Sequence, residues 1–101
     1  MAETLSNTGA PAVLEQAEGE GFLVSTTAFC RGQQSAPLGA PQGEEVATIL
    51  SGSFLVEAED ERYELSPGEA ILIPPRMART WTCQSDEGTL YRVITKQHAA
   101  A

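Results

Sequence analysis

The sequence predicts an all-β, antiparallel fold, either a sandwich or a barrel. Short runs rich in β-branched and aromatic residues recur at close, regular spacing from Gly21 onward. Clusters of Gly, Pro, Ser and Asp separate those runs. No window repeats its apolar residues with the 3.6-residue period of an amphipathic helix. A chain of 101 residues supplies one domain with a single modest core.

Residues 1–20 carry four glutamates and no basic residue, which predicts a flexible N-terminal segment in which only "AVLEQ" docks, and weakly. The folded domain is expected over residues 21–96, with 97–101 as a C-terminal tail. Within it, "GFLVSTTAFCRG" reads as a strand ended by glycine, and "QQSAPLGAPQG" as a loop with two prolines and two glycines. "EEVATILSG" and "SFLVEAED" are separated only by a Ser-Gly turn region, compatible with a hairpin or with a bent continuous ribbon. "ERYEL" runs into "SPGE", where Pro67 pre-sets φ and Gly68 accepts a positive φ, the requirements of a type II turn. "AILIPP" is a short apolar strand stopped by two prolines, "RMARTWTC" an alternating one, "QSDEG" a turn, and "GTLYRVITK" the last strand.

Fourteen acids against six bases give a formal charge of −8, which argues against nucleic acid and against an anionic membrane as partner. No apolar run approaches the ~18 residues needed to span a bilayer. The N-terminus has neither the basic start nor the apolar stretch of a secretory signal, so a cytoplasmic location is expected. Cys30 and Cys83 are too far apart in sequence for a zinc motif; both are expected reduced, and Cys83 to be a packed thiol.

The order of features in "GEEVATILSGSFLVEAEDERYELSPGEAILIPPRMARTW" resembles the conserved barrel of the cupin superfamily. That family carries two motifs, G-x5-H-x-H-x3,4-E-x6-G and G-x5-P-x-G-x2-H-x3-N, joined by a hairpin. Glu45 and Gly52 match the end of the first motif, and Gly68 and Pro74 the start of the second. The resemblance implies an antiparallel jelly-roll β-barrel, the double-stranded β-helix. It also places the family's metal histidines at Gly39, Pro41 and Arg79, and the second glycine of the second motif at Arg76. None of the three histidines is present, and the single histidine of the chain, His98, lies in the tail. No metal cofactor of the usual kind is therefore expected, because a guanidinium offers no lone pair to an ion.

Side chains alternate along a strand, so Met77, Arg79, Trp81 and Cys83 share one face, which the resemblance turns inward together with Glu45. Three readings of Arg79 stay open: an ion pair with Glu45 filling the metal's place, a fork that binds an anionic or carbonyl-bearing ligand, and a side chain reaching solvent from the barrel mouth. Trp81 suits either the core or a stacking platform for a ring. Arg92 is placed to add a second cation to the pocket or to pair outside with the acidic hairpin of residues 57–64. Glu45, Arg79, Trp81, Met77 and Arg92 are thus the candidate ligand-binding residues.

The first function class is a metal-free cupin that binds a small carboxylate- or carbonyl-bearing molecule, or keeps the fold as a sensor or accessory subunit. The second is a metal-independent isomerase or cyclase with Glu45 as base and Arg79 as oxyanion stabiliser. A third is a metal-dependent oxygenase with non-standard ligands. The fold itself does not decide among them. Val46, Thr48 and Leu50 fall on the face opposite Glu45, and this strip together with "GFLVSTTAF" predicts a homodimer.

Overall fold

In a computed structural model the described residues are 11–35 and 43–96. They form eight strands: β1 (Ala12–Glu18), β2 (Phe22–Cys30), β3 (Glu45–Ser51), β4 (Phe54–Ala58), β5 (Glu61–Leu65), β6 (Ala70–Ile73), β7 (Arg79–Cys83) and β8 (Glu87–Thr95). Every strand pairing is antiparallel. Strands β1-β2-β8-β3-β6 make a five-stranded sheet and β5-β4-β7 a three-stranded one. The core lies between them, built from Phe29, Ile49, Phe54, Val56, Trp81 and Leu90 among others. Among the described residues no helix is long and apolar enough to cross a membrane.

The period-two pattern read from the sequence sets the inward faces. In β3, Glu45, Ala47 and Ile49 are buried while Val46 and Leu50 are exposed; in β7, Arg79, Trp81 and Cys83 are buried with Thr80 and Thr82 between them. Strands β3 and β4 do not pair with each other. The chain passes from one sheet to the other through Gly52, whose φ of 77° suits a residue without a Cβ. Phe54 to Ala58 then pair with Leu65 to Glu61 as the hairpin between the two motifs. The turn after it has the expected form: Glu69 N donates to Ser66 O at 3.0 Å, and Gly68 sits at φ 89°.

The second glycine position of the second motif has a left-handed backbone here although the residue is not glycine. Arg76 stands at φ 65°, in the left-handed region that costs a residue with a Cβ about 1–2 kcal/mol.

The sheet begins earlier than the sequence predicts. Residues 12–18, where only weak docking of "AVLEQ" is expected, form β1 and pair with β2 from Ala12↔Ala28 to Glu18↔Leu23, with a bulge between Val13 and Glu15. All seven residues of β1 are exposed, so the segment shows no apolar alternation. Main-chain pairing, joined by an ion pair of Lys96 Nζ with Glu18 at 2.6 Å, holds it, and neither leaves a mark in hydrophobicity. Gly39 and Pro41, where the resemblance would put two metal histidines, lie outside the described residues, as do His98 and the tail from residue 97.

Candidate functional site

Glu45 is the first residue of β3, and its side chain has no solvent exposure. Strand β7 faces it across the core and β8 lies beside it, with Ala47 opposite Arg92 in the β3–β8 pairing. These three strands bring four donors to one carboxylate. Arg79 Nη1 donates to Oε1 at 2.9 Å and Arg92 Nη2 to the same oxygen at 3.0 Å. Arg92 Nε donates to Oε2 at 2.6 Å and the Trp81 indole Nε1 to it at 3.1 Å. Four bonds occupy the roughly four lone-pair positions a carboxylate has. Burial alone raises the Glu45 carboxyl, but the hydrogen bonds and charges of Arg92 and Arg79 outweigh it and hold the group below its ordinary value.

Arg79 uses four of its five N–H donors. Besides Glu45, its Nη1 donates to Gly43 O at 3.1 Å, its Nε to Met77 O at 2.9 Å and its Nη2 to Pro74 O at 3.1 Å. Its side chain is 1% exposed. Of the three readings left open by the sequence, the buried ion pair is therefore the one this geometry supports. Gly43 takes part through its carbonyl and is pressed so closely against Thr95 that a Cβ would collide with the Thr95 main chain.

The donor set does not fit the family's metal. Where a histidine would offer nitrogen there is a cation, and the one carboxylate at hand is filled by guanidinium and indole N–H groups. Among the described residues no three His, Cys, Asp or Glu converge on a common point.

Arg92 differs from Arg79. It binds Glu45 bidentately through one edge, Nε and Nη2, and Nη1 has no hydrogen bond among the described residues. Its side chain keeps 15% exposure and lines a cavity of about 230 Å³. Leu23, Phe29 and Ile94 supply apolar wall there, and Ser25 and Thr27 supply hydroxyls. Strand β1 and the residue before it close one side through Pro11, Val13 and Gln16. Two guanidiniums against one carboxylate leave this centre with one net positive charge inside a chain of charge −8.

The five candidate residues are thus brought together unevenly. Glu45, Arg79, Trp81 and Arg92 form one cluster, with Arg92 inside the fold and not paired with the acidic hairpin, where Glu57 instead pairs with Arg62 at 3.5 Å. Trp81 is fully buried, edge-on to Phe54, and so serves as core and donor and not as a platform. Met77 is half-buried against the core and lines a different cavity, about 670 Å³, at the seam between β5 and β6. Its contribution to the cluster is its carbonyl. Cys83 is buried with its Sγ 3.3 Å from Ser85 O, and both cysteines are free thiols. Ser25 and Thr27 were not singled out from the sequence, yet both fall on the inward parity of β2 with Leu23 and Phe29, and polar residues at core parity are the signal of a cavity.

Comparison with known proteins places the chain. A family profile for the cupin domain matches residues 31–94, more than half of the sequence, and the chain belongs to that family. Among solved structures, the TT1209 protein from Thermus thermophilus is 21% identical, with a TM-score of 0.79 over 97% of this chain and 96% of that one. KdgF from Halomonas sp. is 21% identical, with a TM-score of 0.68 over 83% and 78% of the two chains. An RmlC-like cupin with a double-stranded β-helix fold from Methanocaldococcus jannaschii is 14% identical, with a TM-score of 0.73 over 85% and 80%. At these identities the likeness shows the fold. No curated protein sequence gives a significant match.

Proposed function

We propose that this cupin binds a small organic molecule bearing a carboxylate or carbonyl group, with the Glu45–Arg79–Trp81–Arg92 cluster standing where the family's metal would be. One observation carries the reading. Arg92 is fixed by Glu45 along one edge and also lines a cavity of mixed apolar and hydroxyl character. A pre-oriented guanidinium of this kind loses little entropy when an acceptor arrives. The fold then serves as a binding, sensing or accessory unit in the cytoplasm, a location consistent with two free thiols.

Proton abstraction is the weaker reading. A general base needs a lone pair within reach of the substrate. Glu45 is fully buried, both oxygens are engaged, and its neighbours favour the ionised form. Arg79 spends four of its five N–H donors on Glu45 and three carbonyls, and its side chain is buried away from any substrate's developing oxyanion.

The same reading includes a homodimer. Ala17, Val24, Val93, Val46 and Leu72 are register partners in one row across the outer face of the five-stranded sheet. Leu72 is 59% exposed and Val46 46%, an apolar band suited to a second copy.

A thermal-shift screen of small carboxylates, aldehydes and ketones tests the ligand reading. Several-degree stabilisation by one chemical class is expected, and a blank screen over a broad library contradicts it. Light scattering at micromolar concentration should give twice the 10.7 kDa chain mass, and a monomeric mass contradicts the dimer.

A further inference from the structure

Building on the small-molecule reading, we propose that the Arg92 cavity is a site for monocarboxylates with a compact apolar tail, and that β1 is its cover. Charge sets the class. The cluster behind the cavity carries one net positive charge, and among the described residues no Asp or Glu lines the cavity. A monoanion neutralises that charge. A dianion brings a second charge into a low-dielectric space with no partner, and a neutral molecule leaves the cation unmatched.

Geometry agrees. Ser25 lies directly opposite Arg92 in the β2–β8 pairing, and Thr27 follows two residues along on the same face. A carboxylate at the free edge of the guanidinium therefore has hydroxyl donors beside it. Leu23 pairs with Ile94 on the same face, and Phe29 stands farther along β2; these three form the wall for the tail. Size bounds the ligand. Since a cavity of about 150 Å³ takes benzene, one of about 230 Å³ takes roughly nine non-hydrogen atoms, the size of benzoate or hexanoate.

Strand β1 completes the enclosure at small cost. Pro11, Val13 and Gln16 wall the cavity, yet every residue of β1 is exposed and the strand pairs with β2 alone in its sheet. Such an edge opens locally more easily than the strands over the core. A ligand beneath it adds contacts that β1 lacks when the cavity is empty, so binding and β1 order are linked.

Calorimetry and hydrogen exchange on the full chain test both parts, using benzoate and hexanoate, the neutral isostere benzamide, and the dianion phthalate. Benzoate should bind about tenfold or more tightly than benzamide and more tightly than phthalate. Saturating benzoate should slow exchange of β1 amides more than those of β4. Arg92→Met should abolish binding; because it also removes a partner of buried Glu45, Ser25→Leu serves as the second variant. It fills the cavity, leaves the cluster intact and should weaken benzoate about tenfold or more. Benzamide binding as tightly as benzoate, with both lost in Ser25→Leu, keeps the small-molecule reading and overturns the monocarboxylate class. Benzoate binding unaffected by Ser25→Leu overturns the site, and unchanged β1 exchange overturns the cover. No heat from any of the acids overturns the proposal, whereas the broader reading falls only if the wider thermal-shift library is also blank.

Discussion

The inner face of the five-stranded sheet has a closed half and an open half. Under the three-stranded sheet, Glu45, Ala47 and Ile49 of β3 are fully buried. Two strands away, Leu23, Ser25 and Thr27 of β2 point the same way and are only half-buried. Pleat and parity are the same in both halves; the difference is what lies opposite. Strand β8 runs between them, and Arg92 sits on it with Ala47 on one side and Ser25 on the other. The closed half is where a charge is held and satisfied, the open half is where the proposed ligand site lies, and Arg92 belongs to both.

The largest effect is expected in the closed half. Glu45→Gln removes the one negative charge and leaves two guanidiniums facing a neutral amide, which should cost about 3–5 kcal/mol in urea unfolding. Arg79→Met should cost less, because Glu45 and Arg92 remain as a neutral bidentate pair. Equal losses in the two variants would mean that net charge is not what the cluster balances.

Acid should act on the same half. A carboxyl held below its ordinary value by the fold contributes stability that is fully present above the unfolded value, about pH 4.3, and is lost as pH falls through the folded value. Unfolding free energies measured from pH 5 to about pH 2 should therefore fall more steeply for the wild type than for Glu45→Gln/Arg79→Met. Parallel curves would show that Glu45 is not ionised by its neighbours.

Much of the closed half was legible in the sequence and little of the open half was. That Met77, Arg79, Trp81 and Cys83 share one face followed from parity, and the cupin resemblance turned that face inward with Glu45; Met77 is the member left half-buried. That Arg92 clasps Glu45 required the register of β8 on β3, Ala47↔Arg92, which no local pattern encodes. The carbonyls of Gly43, Pro74 and Met77 that hold Arg79 carry no side-chain signature at all. Strand β1 was unreadable for a different reason: a fully exposed edge has no hydrophobic alternation to read. Ser25 and Thr27 were readable as polar residues at inward parity, but only once the position of the covering sheet was known.

Smaller effects sharpen the contrast. Arg76→Gly restores the glycine that the left-handed backbone favours and should stabilise by about 1 kcal/mol, since relief of the strain exceeds the added chain entropy. An unchanged or lower stability would mean that the Arg76 side chain compensates the strain. In the open half, Ser25→Ala should change stability by no more than about 0.5 kcal/mol, and a loss several times larger would mean that this half is packed like the other.

The central claim is that a buried Glu45–Arg79 pair, supported by Arg92 and Trp81, fills the place of the metal. A double-mutant cycle between Glu45→Gln and Arg79→Met measures it most directly. The two losses should fail to add, with the double variant about 2 kcal/mol more stable than their sum. A coupling energy near zero would show that the two side chains do not meet inside the fold, and the claim would be wrong.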